Sequence, residues 1–352
     1  MTMEQPIPAV RTGLADAADH ERIDAYVRGH AEGTPFHLTA WNEAVARGCR
    51  QKSHYLIAES AGRIVGVLPL GEVHSPLFGR ALVSSPFAVG GGILADDDRT
   101  LARLAEEAWI LAVRLSCPSV ELRGGMLPAD WPASESTYAG FVRPLAADDE
   151  AELLAIPRKQ RAEVRKALGL DLDVEVGTGT ADRAAHYGVY AESVRNLGTP
   201  VFPRSLFDAV LDGFGADADI LTVRKDGQPL ASVLSLYHGG AVMPYWGGGT
   251  RAARTFRAND MMYYALMNHA RRRGCTHFDF GRSKFGTGAF AFKRNWGFEP
   301  APLRYAVKAA EGEGPREINP MSPKYRMQVA LWQKLPLWLA NRLGPAISRG
   351  LG

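Results

Sequence analysis

The sequence predicts an α+β fold built from two tandem copies of one domain, and three observations carry that expectation. A glycine triplet recurs, Gly90–Gly92 and Gly247–Gly249, at a shift of 157 residues. Cys117 and Cys275, like Glu121 and Asp279, recur at a shift of 158. Around these markers both halves run strand, tight turn, strand, strand, glycine loop, helix, strand, which is an internal repeat. At 352 residues the chain has room for two domains.

The first copy runs HYLIAESAGRIVGVLPLGEV from His54 and ALVSSPFAVGGGI from Ala81, then a helical stretch into SVELRGG. The second runs DILTVRKDGQPLASVLSLYH from Asp219 and AVMPYWGGG from Ala241, then a helix into THFDFGRS. Gly62 and Gly227, in turns flanked by alternating apolar residues, mark a hairpin in each copy. Helices are expected before the hairpins, at Thr39–Gly48, Ala181–Arg195 and Arg204–Phe214. After the glycine loops, Asp96–Asp98 mark one helix start, and Asn259 and Asp260 are the cap candidates for the other. Each sheet should be mostly antiparallel and flanked by helices. The expected boundaries are 1–150 for the first domain, 151–170 for a basic linker helix, 171–310 for the second domain and 311–352 for a tail.

Composition removes several classes. Apolar residues make up 46% and charged residues 22%, so disorder and fibrous repeats are excluded. The net charge of +3 is too small to imply nucleic acid, so local clusters must carry any such role. Cys49, Cys117 and Cys275 are scattered, with no C-x-x-C, and no metal is expected. Met1–His20 has no apolar signal core, and no run of 18 apolar residues occurs. The expectation is a cytoplasmic protein, with peripheral inner-membrane contact as an option.

The second copy holds the polar residues of a site. Gly247–Gly249 run into Arg251, Arg254 and Arg257 and then a helix N-terminus, a combination that suits a phosphate. The first copy puts Asp96, Asp97 and Asp98 there, which would repel one. On strand Thr276–Gly281, His277 and Asp279 share a face and are candidates to orient or deprotonate an amine. Arg282 and Ser283 follow in a polar turn. Tyr190 and Tyr263 are candidate cleft residues, or else core aromatics, and Tyr245 and Trp246 are expected to line the cleft. Arg195 precedes Gly198 at a helix end, where a cation also suits the dipole. On the linker helix, Arg158, Arg161 and Arg165 share one arc, as a nucleic-acid contact or a solvated face.

The segment Phe292-Lys293-Arg294-Asn295-Trp296-Gly297-Phe298 has the spacing of the F-Y-x-x-x-G-F helix of GNAT N-acetyltransferases, with Lys293 in place of the tyrosine. With RNLGTPVFP from Arg195, YWGGGTR from Tyr245 and FDFGRSKFGTG from Phe278, the chain resembles the FemAB branch, whose members are tandem GNAT-fold proteins. It is most similar there to the FemAB-related proteins associated with exosortase/PEP-CTERM systems. The resemblance spans about Phe36 to Val307. It implies acyl or aminoacyl transfer from acyl-CoA or aminoacyl-tRNA onto an amine of a cell-envelope or exopolysaccharide precursor. It also implies that Lys293 stabilises the oxyanion, as a fixed cation would. Asp279 would serve the amine, and Arg251, Arg254, Asn259 and Gly247 would lie at the donor end. The alternatives are acyl-CoA-dependent N-acylation of a lipid or amino sugar at the membrane, with a glycan or lipid acceptor as partner, and a non-catalytic export scaffold.

The tail carries Leu335, Trp338, Leu339, Leu343 and Ile347 at helical spacing, with basic residues between them and no acid after Glu317. It suits either an anionic membrane surface or a helix docked on the second domain.

Overall fold

The computed structural model describes residues 9–75, 79–313 and 323–350. Its strands are β1 (Arg11–Leu14), β2 (Ser53–Ser60), β3 (Arg63–Ser75), β4 (Gly79–Ser84), β5 (Leu94–Ala95), β6 (Ser119–Arg123), β7 (Ala133–Ser134), β8 (Tyr138–Pro144), β9 (Asp173–Gly177), β10 (Ala218–Lys225), β11 (Gln228–His238), β12 (Ala241–Gly249), β13 (His277–Lys284), β14 (Pro300–Pro302) and β15 (Tyr305–Ala309). Its α-helices are α1 (His20–Gly29), α2 (Thr39–Cys49), α3 (Asp98–Arg114), α4 (Asp149–Ala155), α5 (Arg158–Leu168), α6 (Thr180–Leu197), α7 (Arg204–Phe214), α8 (Ala258–Arg272), α9 (Gly288–Asn295), α10 (Pro323–Gln333) and α11 (Leu337–Ser348).

Two compact units result. One comprises the described residues of Met1–Ser134, Arg304–Glu317 and Gly350–Gly352, the other those of Glu135–Leu303 and Ile318–Arg349. The first sheet has the order β1-β2-β3-β4-β6-β15-β7, with β5 also pairing β3. Counted from the matching end, the second is β9-β10-β11-β12-β13-β8-β14. The repeat therefore extends to the whole strand order, as the glycine and cysteine register predicts.

The sixth position of each sheet departs from the expected boundaries. β8, which follows the first copy, pairs with β13, and β15, which follows the second, pairs with β6. Residues 135–150 thus belong to the second unit, not the first, and the described residues of Arg304–Glu317 to the first. A strand joins whichever edge offers matching backbone donors and acceptors, and sequence adjacency does not decide that.

Local chemistry explains the shared parts. The pairs Ser60↔Arg63 and Lys225↔Gln228 enclose two-residue turns. Ala61 and Gly62 have φ of 50° and 76°, Asp226 and Gly227 of 50° and 75°. Both central residues at positive φ is the type I′ geometry that suits strand twist. In each sheet two neighbouring strands pair in parallel only briefly among the described residues: Leu82↔Val120 and Val83↔Glu121 in the first, Ala241↔His277 and Val242↔Phe278 in the second. Helix α3 buries Leu101, Leu104, Ala108 and Leu111 on the first sheet, a stripe with helical period. Helix α8 buries Met262, Leu266, Met267 and Ala270 beside Leu221, Val233 and Phe278.

A fragment of residues 151–310 lacks β8, leaves the β13 edge unpaired and removes the fully buried Ala139 and Phe141. It should show no cooperative thermal transition by circular dichroism, whereas residues 135–349 should melt sharply. A sharp transition in the shorter fragment would show that β8 is dispensable.

Candidate functional site

Beyond Val242 and Phe278 no further pairing joins β12 to β13 among the described residues, and at the far end of β12 lies a cleft of about 670 Å³ in the second unit. Its wall comprises Ser193, Asn196 and Leu197 of α6, Gly248, Gly249 and Thr250 at the end of β12, then Arg251 and Arg254. Asn259 and Tyr263 of α8, Gly288, Ala289 and Phe292 of α9, and Gln333 of α10 complete it. The glycines are required by close approach. A Cβ on Gly248 would collide with the Ser193 side chain, and one on Gly249 would lie 2.5 Å from Asn259 Oδ1 and 2.8 Å from Ala253 Cβ.

Some polar groups of this wall lack partners. Among the described residues, Thr250 Oγ1 and Asn259 Oδ1 are buried without a hydrogen bond. Arg251 and Arg254 are exposed and have no ion-pair partner among the described residues, whereas Arg257 pairs with Glu163 at 2.8 Å. The Arg251 backbone N–H donates to Glu192 at 2.8 Å. Helix α8 starts at Ala258, after Arg257 at φ 52°, and no side chain caps it. Asn259 and Asp260 lie inside its first turn, so neither is the cap that the sequence suggested. An uncapped N-terminus beside two free guanidinium groups favours an anion. Tyr263, one turn after Asn259, packs its ring on Phe280 at 4.7 Å and Phe292 at 5.7 Å. Burial pushes its hydroxyl up to about 12, so it stays protonated at neutral pH.

Lys293 and Asp279 form a second cluster. The β13–β8 register shifts between Asp279 and Arg282, with Gly281 at φ 67°. The Gly281 N–H donates to Asp279 Oδ1 at 2.8 Å. Lys293 is only 9% exposed, and its Nζ donates to the Arg282 carbonyl at 2.8 Å. The ammonium also lies 5.4 Å from the Phe141 ring centroid and 5.5 Å from that of Phe280. Burial lowers the lysine to about 8, against the pull of Asp279, and burial raises Asp279 above its ordinary range. Opposed groups with shifted titration are a recurrent mark of functional sites. The cleft wall includes Phe292, the neighbour of Lys293, and neither Lys293 nor Asp279.

The structure distributes the other predicted residues unevenly. Arg251, Arg254, Asn259 and Tyr263 meet at the cleft, with Gly247 immediately before its wall. His277 is exposed, with Nδ1 2.9 Å from Thr276 Oγ1. Tyr190 is buried against Phe207 at 5.3 Å, and Trp246 is 4% exposed and 4.7 Å from the same ring. These two are core residues, because ring burial outweighs any cleft contact there. Tyr245 packs on Trp246 at 5.0 Å, outside the cleft wall. Arg195 donates to the Gln333 carbonyl at 3.3 Å, which ties α6 to α10. The Arg282 guanidinium lies 4.8 Å from the Tyr138 centroid, and Ser283 is buried. On α5, Arg158 and Arg165 are exposed and Arg161 donates to the Leu154 carbonyl at 3.3 Å. Val164 and Ala167 are the residues that α5 buries.

Sequence reasoning missed Ser193, Asn196, Leu197, Thr250, Gly288, Ala289, Phe292 and Gln333 as wall residues. Only Gly198, a left-handed helix end at φ 81°, left a local signal near them.

Residues 157–294 match the model of the acetyltransferase (GNAT) domain. No curated protein matches the chain in sequence. Its fold is similar to that of FemX, at 16% identity and a TM-score of 0.64, over 84% of this chain and 96% of that one. It is also similar to L-PGS from Bacillus licheniformis, at 13% identity and 0.56, over 90% and 97%. A tandem GNAT protein from the clavulanic acid biosynthesis pathway matches at 14% and 0.54, over 87% and 100%. Residues 157–294 thus carry a GNAT acetyltransferase domain match, and the likenesses show that the chain has the fold of these proteins.

Gly248→Val should cost about 1–3 kcal/mol in urea unfolding, because its side chain must displace Ser193. Gly288→Ala meets nothing within 4 Å and should change stability by no more than about 0.5 kcal/mol. Equal effects of the two would contradict the close approach of α6 to β12.

Proposed function

From the GNAT-type domain at residues 157–294, we propose that the chain transfers an acyl or aminoacyl group from an activated thioester or ester onto an amine. The observation that carries this reading is the cleft at the far end of β12, with an uncapped helix end and two unpaired arginines at one side. A donor with phosphates, acyl-CoA or aminoacyl-tRNA, lays them by Arg251 and Arg254. Thr250 Oγ1 and Asn259 Oδ1 offer it polar contacts.

In this mechanism the amine attacks the donor carbonyl carbon, and a tetrahedral oxyanion forms. Lys293 supplies the fixed positive charge, since an ammonium has three donors and only one is used on Arg282. Asp279 accepts the amine proton, and its raised affinity for protons suits that task. The thiolate or ribose oxygen then leaves and the amide remains.

The acceptor in this reading is an amine of a cell-envelope or exopolysaccharide precursor, in a PEP-CTERM/exosortase-linked setting. Its support is the sequence resemblance around FDFGRSKFGTG and FKRNWG. The exposed basic arc of α5, Arg158 and Arg165, suits a tRNA donor as a phosphate contact. A lipid or amino-sugar acceptor at a membrane surface is the second reading, favoured by the exposed apolar residues of the tail.

Lys293→Ala should lower the single-turnover rate at saturating donor by about two to three orders of magnitude, with much smaller change in donor affinity. Lys293→Arg should rescue poorly, because a planar guanidinium places its donors differently. Lys293→Met, which keeps the packing, should retain the fold and the rate defect. An unchanged rate in these variants removes Lys293 from the chemistry.

The wild-type rate should also fall as pH rises through about 8, because the charged lysine is the active form. On the acid side it should rise as Asp279 loses its proton. A rate that stays flat across pH 8 would contradict the assignment of Lys293.

A further inference from the structure

The C-terminal helices dock on the second unit by narrow contacts and leave their large apolar residues in solvent. Helix α11 buries Ala340, Gly344 and Ser348, one small-residue stripe, with Ser348 Oγ donating to the Val201 carbonyl at 2.9 Å. Helix α10 is tied to α6 through Gln333, whose Nε2 donates to the Asn196 carbonyl at 3.1 Å. Met327 is left 71% exposed, and Leu331, Trp338 and the α6 residue Leu197, next to the Asn196 that α10 bonds, are 67% exposed each. Leu343 and Ile347 are exposed as well, on other sides of α11 than Trp338. Apolar exposure on this scale over neighbouring segments marks a contact surface.

Charge selects the occupant. From Ile318 onward the sequence has five Lys or Arg residues and no Asp or Glu. Lys334 and Arg342 are exposed among the apolar residues. A second copy of the same face would set cations against cations. An anionic bilayer offers both an apolar layer and negative charge.

We propose that this face docks on an anionic membrane surface. Leu197 and Gln333 also belong to the cleft wall, so docking sets that cleft beside the headgroup layer. The consequence, which rests on the proposed transferase function, is that the bilayer carries the acceptor amine. No helix of the described residues is long and apolar enough to cross a membrane, so the contact is interfacial.

The test is co-sedimentation of the full chain with vesicles of phosphatidylglycerol and phosphatidylcholine, against phosphatidylcholine alone. Binding should require the anionic lipid and weaken with salt. Leu331→Glu and Trp338→Glu should each lower the partition coefficient about tenfold or more, with melting unchanged because both side chains are exposed. Lys334→Glu with Arg342→Glu should also weaken binding. Absent binding, or equal binding by the glutamate variants, overturns the proposal. So does a concentration-dependent dimer in sedimentation velocity that Trp338→Glu dissolves. Transfer to a soluble amine is measured separately, so a failed surface and a failed transferase reading give different results.

Discussion

The site depends on two strands that run parallel and stay together for only two residue pairs. β12 and β13 share hydrogen bonds at Ala241↔His277 and Val242↔Phe278 and then separate. β12 keeps its antiparallel partner β11 to Gly249, and β13 keeps β8 to Lys284. Each strand is therefore held on its outer side while its inner edge is released. The cleft lies at the far end of β12, where Gly248 and Gly249 approach Ser193 of α6 and Asn259 of α8 closely.

The first unit shows what happens when the same frame lacks the polar set. Its strands β4 and β6 also share only two residue pairs. There, however, Asp97 caps α3, accepting from the Thr100 N–H at 2.7 Å. A carboxylate already occupies the helix end that an anion would seek, and Asp96 and Asp98 stand beside it. Glu121, the counterpart of Asp279, bonds Arg123 at 2.8 Å. In the second unit the corresponding helix is uncapped and the aspartate lies near a buried lysine. One topology thus gives two different electrostatic environments through a handful of substitutions.

The buried pair carries its own consequence for the chemistry. Lys293 sits between aromatic rings with its ammonium on a backbone carbonyl, where a charge is costly. Asp279 offsets part of that cost, and the Gly281 N–H does the same for Asp279. In the proposed transfer, a cation held in this way would need no reorganisation as the oxyanion forms.

The α+β class, the duplication and both hairpins were legible in the sequence, because glycine turns, alternating strands and helix stripes are local. Asp226-Gly227 favours a tight turn of that kind, and Ala61-Gly62 adopts the same geometry. The arginines and Asn259 of the cleft were legible too, since they follow the glycine run directly. Trp246 and Tyr190 were not, because nothing linear distinguishes a cleft aromatic from a core one. The α6 and α9 walls come from residues far apart in the chain. Tertiary structure alone decided that β8 completes the second sheet and β15 the first. Backbone hydrogen bonds carry no residue label, so only the packing of the whole chain selects which strand an open edge receives.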